Sequence, residues 1–557
     1  MGTPPVRATP TTTEATEVDA DADVVEATAG TIDSSQSSVA TDHSLSVGQT
    51  ADPAPPSRTV VVGGGPTGLA AAIMLARRGW RNIEVWERLQ RPPAPTALEW
   101  GDPNRSYCIG ISGRGQIALE RLGCVERVLE YCKEVNGRMD WSPQTGPEGQ
   151  ERISNKKYAT QVIQRDRLVS CLLEEVEEKY AGVITVMHGV AATDVEWLPR
   201  GGAVLTRTTT TGPAGVTCED GGETGTRVTV PFVVGAEGAT RRNAVMRAMD
   251  EDDGEACATK MVRFPDTNPR VYKTIPIKLP ASYRSDLNYS ARTKDGVALE
   301  ALPTKEGLLV GILLVKPGDA KTCAKLESKE SLRAYFDEDF PMFTKYVSDE
   351  DLELMAGRRL STLPTFAYAG GNCLHRVASD KIAGETGEDE VGGACLLGDS
   401  IHTVKPYFGL GVNSAFEDVT ILDDCLTAAV ALPAGGSEAG AWAKALPEFS
   451  KRRAADAKAL VDISRGFDGG FLTFVLPLIL DGIFHKLAPA LFMPNTIQML
   501  QKQDWTFSDV AKRKRRDRVA QIGIIGSILG CVGWLVCAAL KALVPLVMRA
   551  VAGGGAA

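Results

Sequence analysis

Six residues constrain this chain more than any others. Gly63-Gly64-Gly65-Pro66-Thr67-Gly68 follows a short apolar run, Thr59–Val62, and precedes a stretch of helical composition, Leu69–Arg78, closed by Gly79. A second apolar run, Ile83–Trp86, ends at Glu87. A G-x-G-x-x-G turn between strand and helix of a β-α-β unit sets a dinucleotide pyrophosphate on a helix N-terminus. Gly63 makes the tight turn, Gly65 lets the pyrophosphate approach the backbone, and Gly68 lets helix and strand pack closely. The helix supplies free N–H groups and partial positive charge. Glu87 is positioned to accept both ribose hydroxyls, with Arg88 beside it in the cofactor-binding set. A carboxylate at that point repels a 2′-phosphate, so the bound dinucleotide is expected to be FAD or NAD rather than NADP.

Around this unit the 557 residues divide by composition. Residues 1–57 are rich in Thr, Ser, Ala and Pro and hold nine acids against Arg7 alone, a net charge of −8 out of −9 for the whole chain. Such a segment cannot bury enough apolar surface to order itself. It reads as a disordered acidic tail, lacking the apolar core of a signal peptide and too acidic for a transit peptide. The expected division is a first part of the dinucleotide domain at 58–255, a substrate domain at 256–375, a second part of the dinucleotide domain at 376–460, a helical membrane-proximal region at 461–518 and an anchor at 519–548. Helices are expected over 111–135, 166–180 and Ser331–Tyr346. A small antiparallel meander is expected between Val183 and Val234, around a Gly/Thr-rich loop at 208–226. Strands such as Leu308–Val315 suggest a separate sheet, and 378–392 reads as an acidic surface loop.

The near-neutral body argues against nucleic-acid binding. Twelve cysteines without a C-x-x-C pair and five histidines give no metal-ligand spacing, so reduced, mostly buried thiols and no metal are expected. Near the C-terminus a basic cluster, Lys512 to Arg518 broken only by Asp517, is followed by 22 uncharged residues, Val519–Leu540. At 1.5 Å per residue these span about 33 Å, enough for a hydrocarbon core of about 30 Å. The positive-inside rule puts the basic side and the body ahead of it in the cytosol. A second apolar run, Phe471–Leu480, is too short to span and contains Pro477. It is expected either in the core or lying against the bilayer.

Two further motifs carry chemistry. Gly398-Asp399-Ser400-Ile401-His402 follows the apolar strand Ala394–Leu397 and leads into Pro406, Gly409, Gly411, Asn413 and Glu417-Asp418. Val233-Val234-Gly235-Ala236-Glu237-Gly238 is followed by Arg241, Arg242 and Arg247, any of which could meet a cofactor phosphate. With the first glycine turn, these blocks resemble the flavoprotein aromatic hydroxylases that share the para-hydroxybenzoate hydroxylase fold. The resemblance implies an α/β protein: a Rossmann-like FAD-binding domain with an inserted antiparallel-sheet substrate domain, here extended by the helical C-terminal region and one C-terminal transmembrane helix. It implies that Asp399 hydrogen-bonds the ribityl chain and that the backbone of Gly411, Val412 and Asn413 lies by the flavin pyrimidine edge. A helix N-terminus there stabilises the anionic reduced ring. It implies that Glu237-Gly238, where the family has Asp-Gly, touches both FAD and NAD(P)H. His402 reads as a local hydrogen-bonding residue rather than a base.

Within that family the chain resembles the kynurenine 3-monooxygenase group. Arg105-Ser106-Tyr107-Cys108-Ile109-Gly110-Ile111-Ser112-Gly113-Arg114-Gly115 is similar to its Arg-Ser-Ile-Asn-Leu-Ala-Leu-Ser-x-Arg-Gly segment, placing Gly110 by the cofactor. Gln164-Arg165-Asp166 matches Ser-Arg-Glu, whose arginine contacts FAD. Gly137-Arg138-Met139 matches an Arg-Met whose arginine binds the substrate carboxylate. The likeness continues through Phe449-Ser450-Lys451-Arg452-Arg453 and covers nearly all of 58–545. Two substrate-holding segments depart from it: Tyr-Asn-Tyr-x-Glu-Met-Arg is here Ser464-Arg465-Gly466-Phe467-Asp468-Gly469-Gly470, and Pro-Leu-Tyr is Pro494-Asn495-Thr496. Lost hydrogen-bonding groups can change the substrate.

The expected activity is an FAD-dependent monooxygenase that consumes NADPH or NADH and O₂ and hydroxylates a small aromatic, carboxylate-bearing substrate, with the flavin rather than a side chain carrying the chemistry. The alternatives are a membrane-bound flavin epoxidase or reductase acting on a lipid, and a flavin-fold, membrane-tethered interaction protein without activity. A C-terminal anchor fits the mitochondrial outer membrane, which the resemblance implies, or the endoplasmic reticulum.

Overall fold

The computed structural model describes residues 55–97, 107–154, 157–211, 216–217, 225–239, 243–251, 260–370, 374–377, 391–431 and 440–553. All but residues 55–57 of the expected tail and nearly all of the 378–392 loop lie outside these residues, as do Arg105, Arg241 and Arg242.

The glycine-rich turn sits at the centre of a six-stranded sheet. Strand β1 (Thr59–Val62) pairs in parallel with β2 (Ile83–Glu87) on one side and Phe232–Gly235 on the other. Ile184–His188 extends the sheet beyond β2, and Gly393–Leu396 then His375–Val377 extend it beyond Phe232–Gly235. Only the last pairing is antiparallel. Every residue of β1 is buried, as a continuous apolar run covered on both faces requires. Helix α1 (Pro66–Arg77) begins with Pro at its first position and buries nine residues from Gly68 to Ala76. Its close seating depends on Gly68, where a Cβ would lie 1.9 Å from the Gly63 carbonyl oxygen. Gly63 itself has φ +108°, a left-handed conformation open to glycine.

A second, seven-stranded sheet carries its own core. Its order is Ser361–Thr362, Val271–Lys278, Leu308–Val315, Ala298–Pro303, Leu287–Arg292, Gly137–Trp141 and Gln150–Ile153. The last two strands correct the expected boundary of 256–375: the chain visits this sheet once before completing the first domain, and Gly137–Trp141 joins it in parallel with Leu287–Arg292. Alternate residues face helices over 320–357, among them Ile275, Ile277, Leu309 and Leu313. Trp141 stacks there on Tyr283 and Tyr289. The expected meander is present as Val190–Trp197, Ala203–Thr211 and Thr226–Val230. The expected 111–135 helix is two helices, Gly113–Leu122 and Val125–Glu130, ended at the αL residue Gly123 and followed by the strand Lys133–Val135.

The C-terminal part is helical. Trp442–Phe467 packs on Leu410–Val430, and Phe507–Gly553 is one continuous helix of 47 residues. Its Phe507–Met548 stretch is long and apolar enough to cross a membrane, and its most apolar window, mean hydropathy 2.2, buries nothing against the protein. The Phe471–Leu480 run is not core: Phe471, Leu472, Val475 and Ile479 are all exposed.

Lys273, on the helix-covered face of the second sheet, shows how a buried charge is satisfied. Its ammonium donates to the carbonyls of Leu326, Met355 and Ala356 at 3.0, 2.9 and 2.9 Å, closing helix ends that would otherwise keep orphan acceptors. Lys273→Met leaves three buried carbonyls without a donor and is expected to cost about 3 kcal/mol. Denaturant unfolding measures this, and a loss under about 1 kcal/mol would mean that water satisfies them instead.

Candidate cofactor and substrate site

The carboxyl ends of the central parallel strands meet in one crevice, the place where open α/β sheets bind ligands. Gly63–Gly68 and Glu87 sit at the ends of β1 and β2. Both Glu87 oxygens are held by backbone, Oε2 by Gly64 N–H and Oε1 by Leu89 N–H, each at 2.8 Å. The carboxylate is thereby fixed beside the glycine turn with acceptor capacity left. Arg88 follows it, its carbonyl accepting from the Thr210 hydroxyl. Arg165, first residue of the Arg165–Lys179 helix, reaches the same turn: its Nη2 lies 3.7 Å from where a Cβ on Gly65 would be. Asp166 holds Arg165 Nη1 at 2.8 Å.

Asp399 lies beyond the end of Gly393–Leu396, in a 3-10 turn. Its side chain makes no hydrogen bond among the described residues, and burial raises its pKa. A Cβ on Gly411 would stand 3.9 Å from its Oδ1, so the unpartnered carboxylate adjoins the first turn of Leu410–Val430, where the N–H groups of Gly411 and Val412 lack intrahelical acceptors. The Asn413 side chain is committed elsewhere. Its Oδ1 accepts from Ser112 N–H at 2.8 Å, and its Nδ2 donates to the carbonyls of Gly110 and Gly409 at 2.9 and 2.6 Å. It therefore holds the Gly110 strand against the helix start. A glycine-lined turn, a free carboxylate and an open helix N-terminus fit the pyrophosphate, ribityl chain and electron-rich ring edge of a flavin dinucleotide.

Glu237 and Gly238 end the Phe232–Gly235 strand on the same crevice side, but the Glu237 carboxylate points into the protein. It caps the Ala244–Glu251 helix, accepting from the N–H groups of Ala244, Val245 and Met246 at 2.7, 2.9 and 3.4 Å. Arg247, exposed, donates to the Thr193 carbonyl on the meander at 3.2 Å rather than toward the crevice. His402 is fully buried, with Nε2 2.9 Å from Asp418 Oδ2 and 3.3 Å from Ser414 Oγ, and faces no open space.

On the second sheet, Arg138 is half-exposed on the face opposite the helices. Its guanidinium is paired with Asp140, Nε at 2.7 Å, and Glu300 lies 3.8 Å away. Tyr272 shares that face. It and Tyr107, both raised in pKa by burial, lie within electrostatic range of each other and of Arg165, and Tyr107 also of Asp399. These two phenols lie where the second sheet meets the crevice, and sequence reasoning gave them no role. Tyr107 stands in a segment already singled out by motif, whereas an isolated Tyr272 in an alternating strand carries no signal.

The departing segment is also anchored. Lys405, fully buried just before Pro406, donates to Asp468 Oδ2 at 2.6 Å, Asp266 Oδ1 at 2.8 Å and the Asn268 carbonyl at 2.8 Å. The Ser464–Gly470 stretch, which lacks the polar groups of the resemblance, is thus tied by Asp468 to the loop that opens the flavin-side helix. Among the described residues no group of three His, Cys, Asp or Glu could hold a metal.

Burial pushes the Glu237 carboxyl up to about 7, against the three N–H groups, which lower it. With a folded pKa above the unfolded one, stability falls as pH rises from about 4.5 to about 7. Glu237→Gln is expected to flatten that part of the Tm–pH curve, and an unchanged slope would show that the carboxyl titrates normally. Asp399→Ala is expected to purify with at least ten-fold less bound flavin at an unchanged fold, read by absorbance and circular dichroism, about 1.4 kcal/mol or more of lost charge-assisted hydrogen bonding.

No protein-family model matches the chain. It is 28% identical over 376 residues to kynurenine 3-monooxygenase of Salinispora arenicola, covering 67% of this chain and 72% of that protein. It is 26% identical over 441 residues to kynurenine 3-monooxygenase of Cryptococcus neoformans var. neoformans, covering 73% and 77%. Among solved structures, 2-methyl-3-hydroxypyridine-5-carboxylic acid oxygenase superposes with a TM-score of 0.51 at 16% identity, over 74% of this chain and 91% of that one. PqsL of Pseudomonas aeruginosa gives 0.51 at 17% identity, over 75% and 98%. The structural matches establish a shared fold.

Proposed function

Because the chain belongs to the FAD-dependent aromatic hydroxylases, we propose that it consumes NAD(P)H to hydroxylate a small aromatic substrate bearing a carboxylate, of the kynurenine kind, while tethered to a membrane by its C-terminal helix. Bound FAD, once reduced, would activate O₂ and supply one oxygen atom to the ring. The chain's own residues do the rest. The α1 N-terminus and Gly65 hold the pyrophosphate, with Arg165 alongside. Glu87 takes the ribose hydroxyls. Asp399 accepts from the ribityl chain, and the N–H groups of Gly411 and Val412 stabilise negative charge at the pyrimidine edge.

The observation that carries this reading is the meeting of the two sheets. The helix-free face of the second sheet packs on the first domain through Leu302 and Val310 against Cys108, Val135 and Val162, with Tyr272 near Tyr107 and Arg165. Arg138 stands on that same face four strands from Tyr272, so a ring held by this face would lie toward the flavin cradle. Asp140 orients the Arg138 guanidinium along one edge and leaves the remaining N–H groups for a substrate carboxylate. The glutamate in place of aspartate at position 237 caps a helix, which keeps the crevice lining intact despite the departure.

Kynurenine is expected to stimulate NAD(P)H oxidation by the yellow, flavin-loaded protein and to yield a hydroxylated product. Absence of both stimulation and product would sink the kynurenine reading, and a panel of aromatic acids screened by NADPH oxidation would then find the substrate. Arg138→Ala is expected to raise KM for an acidic aromatic at least ten-fold, from losing about 1.5–3 kcal/mol of charged hydrogen bonding, with flavin content unchanged. An unaltered KM would assign Arg138 to the Asp140 pair alone.

A further inference from the structure

The run Phe471–Leu491 forms a π-helical turn, Phe471–Val475, that continues into the helix Leu476–Leu487. Leu472, Val475, Ile479, Ile483 and Leu487 recur every three or four residues and are exposed by 73, 39, 45, 49 and 77%, so one face of this helix is apolar and uncovered. Phe471 and Leu491 extend it, exposed by 61 and 69%. A continuous apolar face of this size does not belong in water.

Where the face lies is fixed from its other side. Asp481, fully buried, projects opposite Ile479 and Ile483 and meets the long C-terminal helix: Lys514 Nζ lies 3.1 Å away, Arg518 Nη2 3.2 Å and Gln521 Nε2 3.2 Å. Arg518 also donates to the Pro477 carbonyl at 3.2 Å. Further along, Lys514 donates to the Pro494 carbonyl at 2.8 Å, and Met493 N–H to Asp517 at 3.3 Å. Residues 491–494 sit beside 513–517, Pro477 beside Arg518, and Asp481 between 514, 518 and 521, so this segment lies against the foot of the uncharged run. The contact level is where the uncharged run begins, at Val519.

We propose that Phe471–Leu491 is a second membrane contact, lying in the headgroup and upper acyl layer of the same bilayer that the C-terminal helix crosses. It rests on that helix being a span. A lipid surface fits for three reasons. The face is continuous with the exposed apolar surface of the span. The segment carries one exposed charge, Lys486, at its collar end, where a cation meets headgroups. Its one carboxylate is turned inward onto Lys514 and Arg518, so no anion faces the lipid. An amphipathic helix of this kind lies in the interface plane. The contact also reaches the flavin side. Phe474 packs on Phe467 with ring centroids 5.5 Å apart, and Phe467 on Phe408 at 4.8 Å. Phe408, 48% exposed in the loop that opens Leu410–Val430, thereby stands at the bilayer surface, and apolar-bodied aromatic substrates dissolved in the headgroup layer have a short approach to the site.

Site-specific lipid photocrosslinking tests this on the full-length, flavin-loaded protein. p-Benzoylphenylalanine replaces Leu472, Ile483, Trp534 or Leu354 in turn, in phosphatidylcholine vesicles with alkyne-tagged acyl chains. Leu354 is exposed on the second-sheet domain, away from both segments, and Trp534 reports the span. Lipid adducts at positions 472 and 483, about ten-fold above position 354 and comparable with position 534, are expected. Adducts at 534 alone overturn the second contact and leave the span standing. Adducts at none of the positions remove the span itself. Chain-to-chain products at 472 and 483 in place of lipid adducts make the face a contact between copies and also overturn the proposal.

Discussion

One fully buried guanidinium holds the separate parts of this protein in register. Arg453, on Trp442–Phe467, pairs with Asp418, with Glu417 at 3.0 Å and with Asp456 at 3.5 Å, and donates to the Ser414 hydroxyl at 2.6 Å. Asp418 in turn accepts from the Gly398 N–H at 2.8 Å and meets His402. Burial alone would raise its pKa, but Arg453 and His402 outweigh it and keep the carboxyl below its usual value. Glu417 also takes Arg114, whose Nη2 donates to the Lys502 carbonyl at 2.7 Å, and Asp456 accepts from Ser508 N–H at 2.9 Å. The loop carrying Asp399, the flavin-side helix, the Gly113–Leu122 helix and the foot of the C-terminal helix are thus joined through one network. Removing one partner of such a network strands a charge in low dielectric, so its members hold one another in place. This explains why a polar cluster sits under a cofactor crevice without lining it.

How much of this could be read from residues follows how local each feature is. The β1–α1–β2 unit, the Asp399 loop and the apolar C-terminal helix are each written in consecutive residues, through glycine spacing, a strand-to-helix block or an uncharged run, and the structure has each where the sequence put it. The second sheet was legible as strands but not as a set. Gly137–Trp141 enters it by pairing with Leu287–Arg292, and no periodicity within either strand names a partner that far away. The same holds for Tyr272, whose significance comes only from Arg165 and Tyr107 lying across the junction. Glu237 was legible as a departure, yet its cap on Ala244–Val245–Met246 depends on where the next helix begins.

The altered substrate segment shows the same limit from the other direction. The sequence reveals that Ser464–Gly470 has lost polar side chains, and nothing in it reveals what replaces them. The structure shows Asp468 and Asp266 sharing the Lys405 ammonium, which ties the end of Trp442–Phe467 to the loop before Pro406. A buried cation with two carboxylates is a positional constraint rather than a gain in stability, since its desolvation offsets most of its attraction. It fixes Phe467 against Phe408 and so defines an apolar wall where the resembled enzymes are polar. On the proposed reading, a polar aromatic substrate finds its charged contact across this wall, at Arg138.

The charge of the chain makes a final point about the basic cluster at 512–518. Read as a sequence it is a uniform collar awaiting anionic headgroups. In the structure it is two sets. Arg513, Lys514 and Arg518 turn inward to Asp517, Asp481 and the carbonyls of the Phe471–Pro494 segment, holding that segment against the long helix. Lys512, Arg515 and Arg516 remain exposed. Of these, Lys512 meets Asp509 at 3.5 Å, and on the proposed reading the exposed set would attract anionic lipid at about 1 kcal/mol per residue. The inward set does different work. By neutralising Asp481 it lets an otherwise apolar helix pack against the long helix, so on the proposed reading the cations at the end of the span also fix what stands beside it.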